Sequence, residues 1–381
     1  MNYDYDYLLV GGGLQNGLVA LCLQADRPGV HVGIVEQGAR LGGNHTWCFH
    51  ESDVDARVMK ILEPLVLRRW KGYRIQFPRR ERTISQTYCM IQSEGFHEVV
   101  VAKMNVSGCS VLLDTQVRSV EAHCVELDNG SRLTARVVVD SRGPQETPGK
   151  PIGYQKFLGS ELVLEEPTDD KCVTLMDATV AQIDGFRFFY VLPISSSRLL
   201  VEDTYYSDSP QLDLDHLRNE VLNYSARRGL RVASVEREET GVLPLFGSAL
   251  PPTRTSGALA GGYQGGFLHP TTGYSLPCAA RLAWHVASTK PSELFGNAWT
   301  ELVSEQASQA RFCFWLNRVL FAAFRPEDRF NVLERFYGLP EETIQRFYAL
   351  QMTTLDKTRV ICGRPPRGFS LRRALQWSKN S

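Results

Sequence analysis

A glycine-rich turn near the start of the chain separates a strand-like segment from a helix-like one. Tyr5–Val10 is a short apolar run that ends at Gly11, Gly12 and Gly13, and apolar residues then recur at helical spacing from Leu14 onward. A turn of this kind lets backbone N–H groups at the start of the helix approach a pyrophosphate. The pattern therefore predicts the first half of a βαβ unit, which commits the chain to an α/β fold with a parallel sheet.

An acidic residue follows the second predicted strand at the spacing that this unit requires. Residues 30–35 alternate as a half-buried strand does, and Glu36 follows 25 residues after Gly11. A carboxylate at that point accepts hydrogen bonds from ribose hydroxyls. Gly11, Gly13 and Glu36 are therefore predicted to bind an adenine dinucleotide. Asn16 stands where a third glycine is usual, so we count it among the predicted cofactor-binding residues and expect the turn to adjust around it.

Three later segments favour FAD over NAD as this dinucleotide. The pair Gly42–Gly43 follows the acidic strand end, like the second glycine pair of many flavoproteins. The segment RVVVDSRG, which ends at Gly143, resembles the strand and turn that return a flavoprotein chain to its dinucleotide. Pro270 and Gly273 lie in a loop that is similar to the one that opens a helix toward the flavin ring.

The predicted fold is α/β: a Rossmann-like FAD-binding domain of the glutathione-reductase type, an inserted antiparallel β substrate domain and a helical C-terminal part. The FAD-binding domain is assigned to residues 1–67, 92–150 and 240–290, the substrate domain to 68–91 and 151–239, and the helical region with its basic tail to 291–381. Inside the substrate domain, Phe186–Pro193 and Leu199–Tyr206 flank a serine-rich turn and predict a β-hairpin.

Charge and cysteine content exclude several classes of partner. The 42 Lys and Arg residues balance the 42 Asp and Glu residues, so the chain lacks the surplus of cations that nucleic-acid binding needs. The nine cysteines form no CxxC pair, which favours reduced thiols in the cytoplasm. His45 and His50 lack the carboxylate cluster of a metal site. No segment has the pattern of a secretion signal or of a spanning helix.

Six strings distributed in order over most of the chain resemble the bacterial lycopene β-cyclase family. They are GGGLQNGL, GGNHTW, MDATV, LVEDTYY, HPTTGYSLP and RFYGLP. The resemblance extends to Asn16, because the family has its own GxGLxNG version of the turn. It implies an FAD-dependent enzyme that cyclises the linear ends of lycopene to β-rings, through γ-carotene to β-carotene. The reaction has no net redox change, and the FAD is used in its reduced form, maintained by a nicotinamide donor, NAD(P)H.

Ring closure of an alkene requires a strong, sequestered acid. An alkene is a very poor base, so the site must exclude water, keep a carboxylic acid protonated by burial and surround the cation with negative or π-electron density. By the family resemblance Glu202, in LVEDTYY, is the candidate acid. On a strand Glu202 and Asp203 face opposite sides, so one of the two can face the pocket. Asp203 and Asp177 are the other predicted catalytic candidates.

Two other functions fit the same fold and cofactor. A redox flavoenzyme acting on an apolar isoprenoid, either a monooxygenase or a reductase, remains the alternative, because fold does not determine reaction. A non-catalytic lipid carrier is the other. The acid in LVEDTYY favours the cyclase.

The C-terminal segment predicts contact with a membrane surface. Residues 357–381 contain seven cationic residues and no acid, with apolar residues between them. Such a tail favours peripheral contact with an anionic membrane, where carotene substrates dissolve, although a solvated basic tail has the same pattern. We expect a cytoplasmic, peripherally membrane-associated enzyme.

Overall fold

A computed structural model describes residues 3–143, 149–249 and 257–380, with side chains described as far as residue 375. Its strands are β1 (Tyr5–Val10), β2 (Val32–Val35), β3 (Thr46–His50), β4 (Arg68–Trp70), β5 (Tyr73–Phe77), β6 (Arg80–Ile84), β7 (Tyr88–Gln92), β8 (Ser110–Leu112), β9 (Val117–Val120), β10 (Cys124–Leu127), β11 (Arg132–Asp140), β12 (Gly153–Leu164), β13 (Val173–Asp177), β14 (Phe186–Pro193), β15 (Arg198–Ser207), β16 (Val232–Leu245) and β17 (Leu259–Ala260). Its α-helices are α1 (Leu14–Asp26), α2 (Ala56–Leu62), α3 (Ser93–Met104), α4 (Leu214–Arg227), α5 (Leu276–Ser288), α6 (Asn297–Ala323), α7 (Phe330–Phe336), α8 (Glu341–Tyr348), α9 (Thr354–Ile361) and α10 (Leu371–Asn380).

The first sheet is the predicted parallel sheet. Its strand order is β8-β2-β1-β11-β10-β9, and β17 pairs with β11. The pairs β1–β2, β1–β11, β2–β8 and β11–β17 are parallel, so the carboxyl ends of these strands meet at one edge. Each sequence segment that was assigned to this sheet lies in it, although the second strand begins at Val32 instead of residue 30. The Rossmann-like fold is thereby confirmed.

Helix α1 packs closely because of Gly17, which follows Asn16. A Cβ on Gly17 would collide with the Phe96 ring of α3. Asn16 is fully buried, and its Nδ2 donates to the carbonyl oxygens of Val10 (2.9 Å) and Gly11 (2.8 Å). The close-packing glycine has therefore moved by one position, and the Asn16 amide holds the turn in the adjusted shape.

The second sheet has the order β16-β12-β15-β14-β13-β5-β6 and is antiparallel except for the pair β13–β5. The predicted hairpin is confirmed, since β14 and β15 pair from Phe186↔Tyr206 to Pro193↔Leu199. The segment 68–91 divides between two sheets: β5 and β6 join this one, whereas β4 and β7 pair in a small sheet of order β3-β7-β4. Strand β16 continues to Leu245, past the predicted boundary at residue 239.

Side chains alternate between the two faces of β15, as expected for a strand. Val201 and Tyr205 pack in one cluster with Leu217 and Val221 of α4. Leu200 belongs to the main core on the other face. Helix α4 therefore covers one face of the second sheet. The opposite face, which carries Leu200, packs in the main core.

A buried ion pair connects β14 to β15 beneath α4. Arg187 Nε and Nη2 donate to the two carboxylate oxygens of Asp203 at 2.8 and 2.7 Å. Nη2 of Arg187 also donates to Glu220 of α4 (2.7 Å), and the Tyr205 hydroxyl donates to Asp203 (2.9 Å). Arg187 is 2% exposed and Asp203 is fully buried, so each charge depends on the other for compensation.

The C-terminal part is helical, as predicted, with α6 its longest helix and α10 packed against α6. None of the helices in the described ranges is both long and apolar enough to cross a membrane.

We expect Asp203→Ala to destabilise the fold, because it leaves the buried Arg187 guanidinium with one partner instead of two. The free energy of unfolding, measured by urea denaturation, should fall by about 3 kcal/mol. Glu220→Gln is the matched control, since the Glu220 side chain is 20% exposed and its loss should cost about 1 kcal/mol or less. Equal losses in the two variants would contradict the assignment of Asp203 as the principal buried partner.

Candidate active site

A cavity of about 210 Å³ lies between the inward face of the second sheet, the small sheet and the loop that precedes α5. Its walls combine one carboxyl group with many aromatic and aliphatic side chains. The lining residues are Thr46, Trp47, Cys48, His50, Tyr88, Gln155, Phe157, Leu175, Tyr190, Leu192, Leu200, Glu202, Leu243, Thr272, Gly273, Tyr274, Ser275, Leu276 and Tyr348. Such a site suits a narrow, apolar molecule, and it offers that molecule only a small number of polar groups.

Glu202 is the predicted catalytic residue that the structure places in this cavity. It projects from β15 on the same face as Leu200, and its Oε1 accepts a hydrogen bond from Thr204 Oγ1 (2.6 Å). Burial raises the pKa of Glu202 to about 8, and the nearby carboxylate of Glu239 acts in the same direction. The carboxyl group is therefore protonated at neutral pH, which is the state that a proton donor needs.

Glu202 has a second glutamate, Glu239, as a neighbour, because the residue between them on the middle strand β12 is a glycine, Gly159. Glu202 of β15 and Glu239 of β16 both pair with Gly159 of β12, so all three share one face of the sheet. A Cβ on Gly159 would lie 3.3 Å from Oε2 of Glu202. Nη2 of Arg237 donates to Glu239 at 3.0 Å. Sequence reasoning missed Glu239, because only strand register shows that it is a neighbour of Glu202.

Asp203 and Asp177 do not line the cavity. Asp203 is held by Arg187 on the α4 side of the sheet. Asp177 accepts hydrogen bonds from the Thr179 hydroxyl (2.6 Å) and from the Tyr224 hydroxyl of α4 (2.7 Å). The structure therefore separates the three carboxylates that were candidates for catalysis, and it leaves Glu202 alone among them at the cavity.

The aromatic lining comes from segments far apart in the chain. Tyr88, Tyr190, Tyr274 and Tyr348 lie on β7, β14, the loop before α5 and α8. Burial raises the pKa of Tyr348 to about 12 and raises the pKa values of the other three well above the usual value. These phenols are therefore neutral, and their ring faces can stabilise a cation through their quadrupoles.

The glycine-rich loop forms an open cradle at the start of α1. Gly11 has a φ of +93°, which favours glycine. A Cβ on Gly13 would meet no atom within 4 Å, and the α1 N-terminus has neither a side-chain cap nor an acid in its first turn. Free N–H groups beside open space fit a pyrophosphate. Glu36 accepts hydrogen bonds from Gly12 N (2.6 Å) and Gly38 N (2.8 Å), so its carboxylate lies at the edge of this cradle.

The remaining predicted cofactor residues surround the same region or the cavity. Gly42 N donates to Gly12 O (2.9 Å), and the pair Gly42–Gly43 has φ values of +84° and +60°. Gly143 follows β11 and its carbonyl oxygen accepts from Gln264 Nε2 (3.1 Å). Pro270 is half-buried in the loop before α5, and Gly273 of that loop lines the cavity.

A contact between two helix starts connects the cradle to the cavity. Gln15 Nε2 in the first turn of α1 donates to Ala279 O in the first turn of α5 (3.1 Å). Leu276 at the start of α5 lines the cavity, and the α5 N-terminus also has no side-chain cap and no acid in its first turn. The residues present therefore fit a flavin dinucleotide that has its pyrophosphate at the cradle and its ring system beside the cavity.

Comparison with solved structures shows the same fold in flavin enzymes. A flavin-dependent brominase aligns with a TM-score of 0.64 at 12% identity, covering 99% of each chain. A geranylgeranyl bacteriochlorophyll reductase-like protein from Thermoplasma acidophilum aligns with a TM-score of 0.62 at 13% identity, covering 98% of this chain and 95% of the other. At these identities the likeness establishes the fold and leaves the reaction open.

Sequence relatives supply the finer assignment. A lycopene beta-cyclase of Pseudescherichia vulneris is 41% identical, over 95% of this chain and 94% of its own length. A lycopene beta-cyclase of Pantoea ananas is 39% identical, over 96% of each chain. The family profile described as "Lycopene cyclase protein" matches residues 6–374. This chain, in which a carboxyl group lies in an aromatic cavity near a glycine-rich turn, therefore belongs to the lycopene cyclase family.

Proposed function

We propose that this protein is a lycopene β-cyclase in which Glu202 donates the proton that begins ring closure. The observation that carries the proposal is the position of Glu202: it is a carboxyl group whose pKa is raised to about 8, in the same cavity as four neutral tyrosine rings. The family membership of the whole chain supports the substrate, and its cyclase relatives support the reaction.

The reaction is an isomerisation in which protons are exchanged and no electrons are gained or lost. The Glu202 carboxyl group adds its proton at C2 of a terminal alkene, which leaves a cation at C1. The C5–C6 double bond attacks C1, forms the ring and moves the cation to C5. Loss of the C6 proton then creates the C5–C6 double bond of the β-ring. The product therefore has the same formula as the substrate.

The residues of the cavity contribute to this sequence in two ways. The aliphatic lining, which includes Leu192, Leu200 and Leu243, excludes water that would trap the cation. The tyrosine rings stabilise the cation without reacting with it, since burial keeps them from ionising. Glu202 itself becomes a carboxylate after transfer, and this negative charge stabilises the cation further.

FAD is the cofactor that the cradle and the fold support, because the structural neighbours include flavin-dependent enzymes. When bound in its reduced form, it supplies negative charge next to the cavity, which explains why a reaction without net redox change needs a redox cofactor. We propose NAD(P)H as the donor that keeps it reduced. The redox alternative, a monooxygenase or an isoprenoid reductase, is less well supported, since the family match is to cyclases and Glu202 supplies an acid that hydride transfer does not require.

The basic C-terminal segment is our proposed site of membrane contact. Phe369, Leu371 and Leu375 are 42%, 63% and 57% exposed. The exposed cations close to them are Arg364, Arg367, Arg372 and Arg373. Apolar and cationic side chains together suit the surface of an anionic bilayer, from which carotene substrates can be taken. The side chains of Trp377 and Lys379, also part of this predicted tail, lie outside the described residues.

We expect Glu202→Gln to abolish cyclisation, because the amide cannot donate an acidic proton. Turnover of lycopene to β-carotene, measured by pigment chromatography in an anaerobic assay with reduced FAD, should fall by at least ~100-fold. FAD content should equal that of the parent. Full activity of Glu202→Gln would place the acid elsewhere.

The same substitution should not weaken the fold. Because the pKa of Glu202 is raised to about 8 in the folded protein, the unfolded chain loses this proton at lower pH than the folded chain does. Stability of the parent therefore falls as pH rises from about 4.5 to 8. Gln removes this loss, so the melting temperature of the variant should match or exceed that of the parent at pH 7.

The cyclisation rate should decrease as pH rises through about 8, where Glu202 loses its proton. Glu239→Gln removes a neighbouring negative charge and leaves Arg237 less compensated, and both changes lower the pKa of Glu202. The basic limb of the pH–rate profile should therefore move to lower pH. Glu238→Gln is the matched control: Glu238 faces α4, where Arg218 Nη2 donates to it at 2.9 Å, and its loss should leave the profile unchanged. An unmoved limb in Glu239→Gln would disprove this electrostatic coupling.

Gly13→Val should bind FAD at least ~10-fold more weakly while it folds normally, because the new side chain would occupy the space required by the pyrophosphate. The protein itself can accommodate a valine at this position, since no atom lies within 4 Å of the Cβ position of Gly13 and the φ of Gly13 is −76°. Flavin absorbance after dialysis measures the bound fraction. Gly95→Val is the control, because Gly95 also has no atom within 4 Å of a Cβ but lies in α3. Equal flavin retention by both variants would place the pyrophosphate elsewhere.

A further inference from the structure

A histidine and an aspartate form a buried pair on the cavity wall. His50, at the end of β3, lines the cavity and is 2% exposed, and Asp53 three residues later is 6% exposed. His50 Nδ1 lies 3.2 Å from Asp53 Oδ2. The Tyr274 hydroxyl donates to the same Asp53 oxygen (3.0 Å) and accepts from His50 N (3.0 Å). Asp53 therefore holds the imidazole through Nδ1, and the Tyr274 hydroxyl connects Asp53 to the backbone of His50.

This arrangement assigns the tautomer of His50. An Asp53 carboxylate can only accept at Nδ1, so in the neutral imidazole Nδ1 carries the hydrogen and Nε2 has the lone pair. Nε2 of His50 is buried and has no hydrogen-bond partner. Buried polar atoms in proteins are nearly always paired, so an unpaired, oriented acceptor on a cavity wall is available to act on a ligand.

The surroundings of His50 suit an adjacent carbocation. Its ring centre lies 5.1 Å from that of Tyr88, 5.3 Å from Tyr73, 5.8 Å from Tyr348 and 6.3 Å from Tyr274. These rings exclude water from the imidazole and offer π faces to a positive charge. Glu202 projects from β15 of the second sheet, whereas His50 belongs to the small sheet, so the two groups approach the cavity from different walls.

We propose that His50 is the general base that removes the C6 proton, with Asp53 as its positioning residue; this inference rests on the proposed cyclase function. Nε2 takes the proton from C6 of the C5 cation, and the electrons of that C–H bond form the C5–C6 double bond. The Asp53 carboxylate stabilises the resulting imidazolium. Glu202 is then one proton short and His50 has one in excess, so transfer from His50 to Glu202 restores both groups without any oxidant or reductant.

The position of the base also determines which ring is formed. A C5 cation can lose a proton from C6, from C4 or from the methyl group on C5, which gives a β-, ε- or γ-ring respectively. A base fixed on one wall of the cavity selects one of these hydrogens. The same residue that completes the reaction is therefore the one that selects the β-ring.

The test uses purified, FAD-loaded protein with lycopene in phosphatidylcholine vesicles, under anaerobic reducing conditions in D₂O. We expect His50→Asn to form β-rings at least ~100-fold more slowly and to divert the remaining product toward ε- or γ-rings. Lycopene recovered from this variant should contain deuterium, because Glu202 still donates a deuteron to C2, and rotation about the C2–C3 bond then lets the Glu202 carboxylate remove the original C2 hydrogen when the alkene re-forms. Glu202→Gln should show neither rings nor deuterium uptake. Mass spectrometry and chromatography measure label and ring type.

Two further variants separate a chemical role from a structural one. Asp53→Asn should slow β-ring formation by about 10-fold and give labelled lycopene, since the amide no longer stabilises the imidazolium. If His50→Asn loses FAD, Asp53→Asn tests the base assignment in its place. His285→Asn is the matched control, because His285 is buried (8% exposed), bonds to Leu294 O and lies outside the cavity. It should produce β-rings alone, as the parent does.

The outcomes distinguish this inference from the proposed function. Exclusive β-ring formation at the parental rate in His50→Asn and Asp53→Asn would overturn the base assignment, as would slow variants that still form β-rings alone. A parent protein that neither closes rings nor labels lycopene would instead overturn the cyclase function itself.

Discussion

The proposed mechanism depends on keeping a proton on one carboxyl group inside the protein, that of Glu202. Glu202 achieves this through burial, since water no longer stabilises its ionised form, and through the negative charge of Glu239 across Gly159. Asp356 has the opposite environment, because it accepts from Arg346 and Thr343, which lowers its pKa. Asp203 is buried like Glu202, but it has a bidentate arginine. The strand LVEDTYY therefore carries two adjacent acids with opposite roles. Asp203, which faces α4, is paired with Arg187, while Glu202, which faces the cavity, has a raised pKa to which none of the described cations contributes.

The two sheets divide the work of the enzyme. The parallel sheet presents a glycine turn and an uncapped helix start, which suit an anionic dinucleotide. The second sheet presents a broad face with an acid and aromatic rings. The N-terminal turns of α1 and α5 are in direct contact through Gln15 and Ala279. This contact connects the glycine-rich cradle at α1 to the cavity at the start of α5. Flavin-dependent enzymes share this frame, and the chemistry that we propose for this chain comes from side chains on the second sheet and the small sheet.

Local sequence predicted the elements of the fold well. The glycine turn, the alternation in β2 and the β-branched run of β11 each have a period or a composition that one structure favours, and all three lie in the parallel sheet. The 186–206 hairpin followed from the same kind of signal. The division of segment 68–91 between two sheets did not, because strand pairing depends on partners far away in the chain. Glu202 could be chosen over Asp203 by combining strand alternation with the family resemblance, but alternation alone cannot say which face is the cavity.

The sequence by itself determined the dinucleotide turn, the order of strands and helices and the family, because each of these is written in contiguous residues or in motifs with set spacing. Only the tertiary structure decided which groups meet. Glu239 becomes a neighbour of Glu202 through the register of three strands, and Tyr274 reaches Asp53 across more than half of the chain. His50, which the sequence analysis rejected as a metal ligand for lack of a carboxylate cluster, has an unpaired nitrogen on the cavity wall. Proton affinity and basicity depend on burial and on such neighbours, which are properties of the packed molecule and of no local segment.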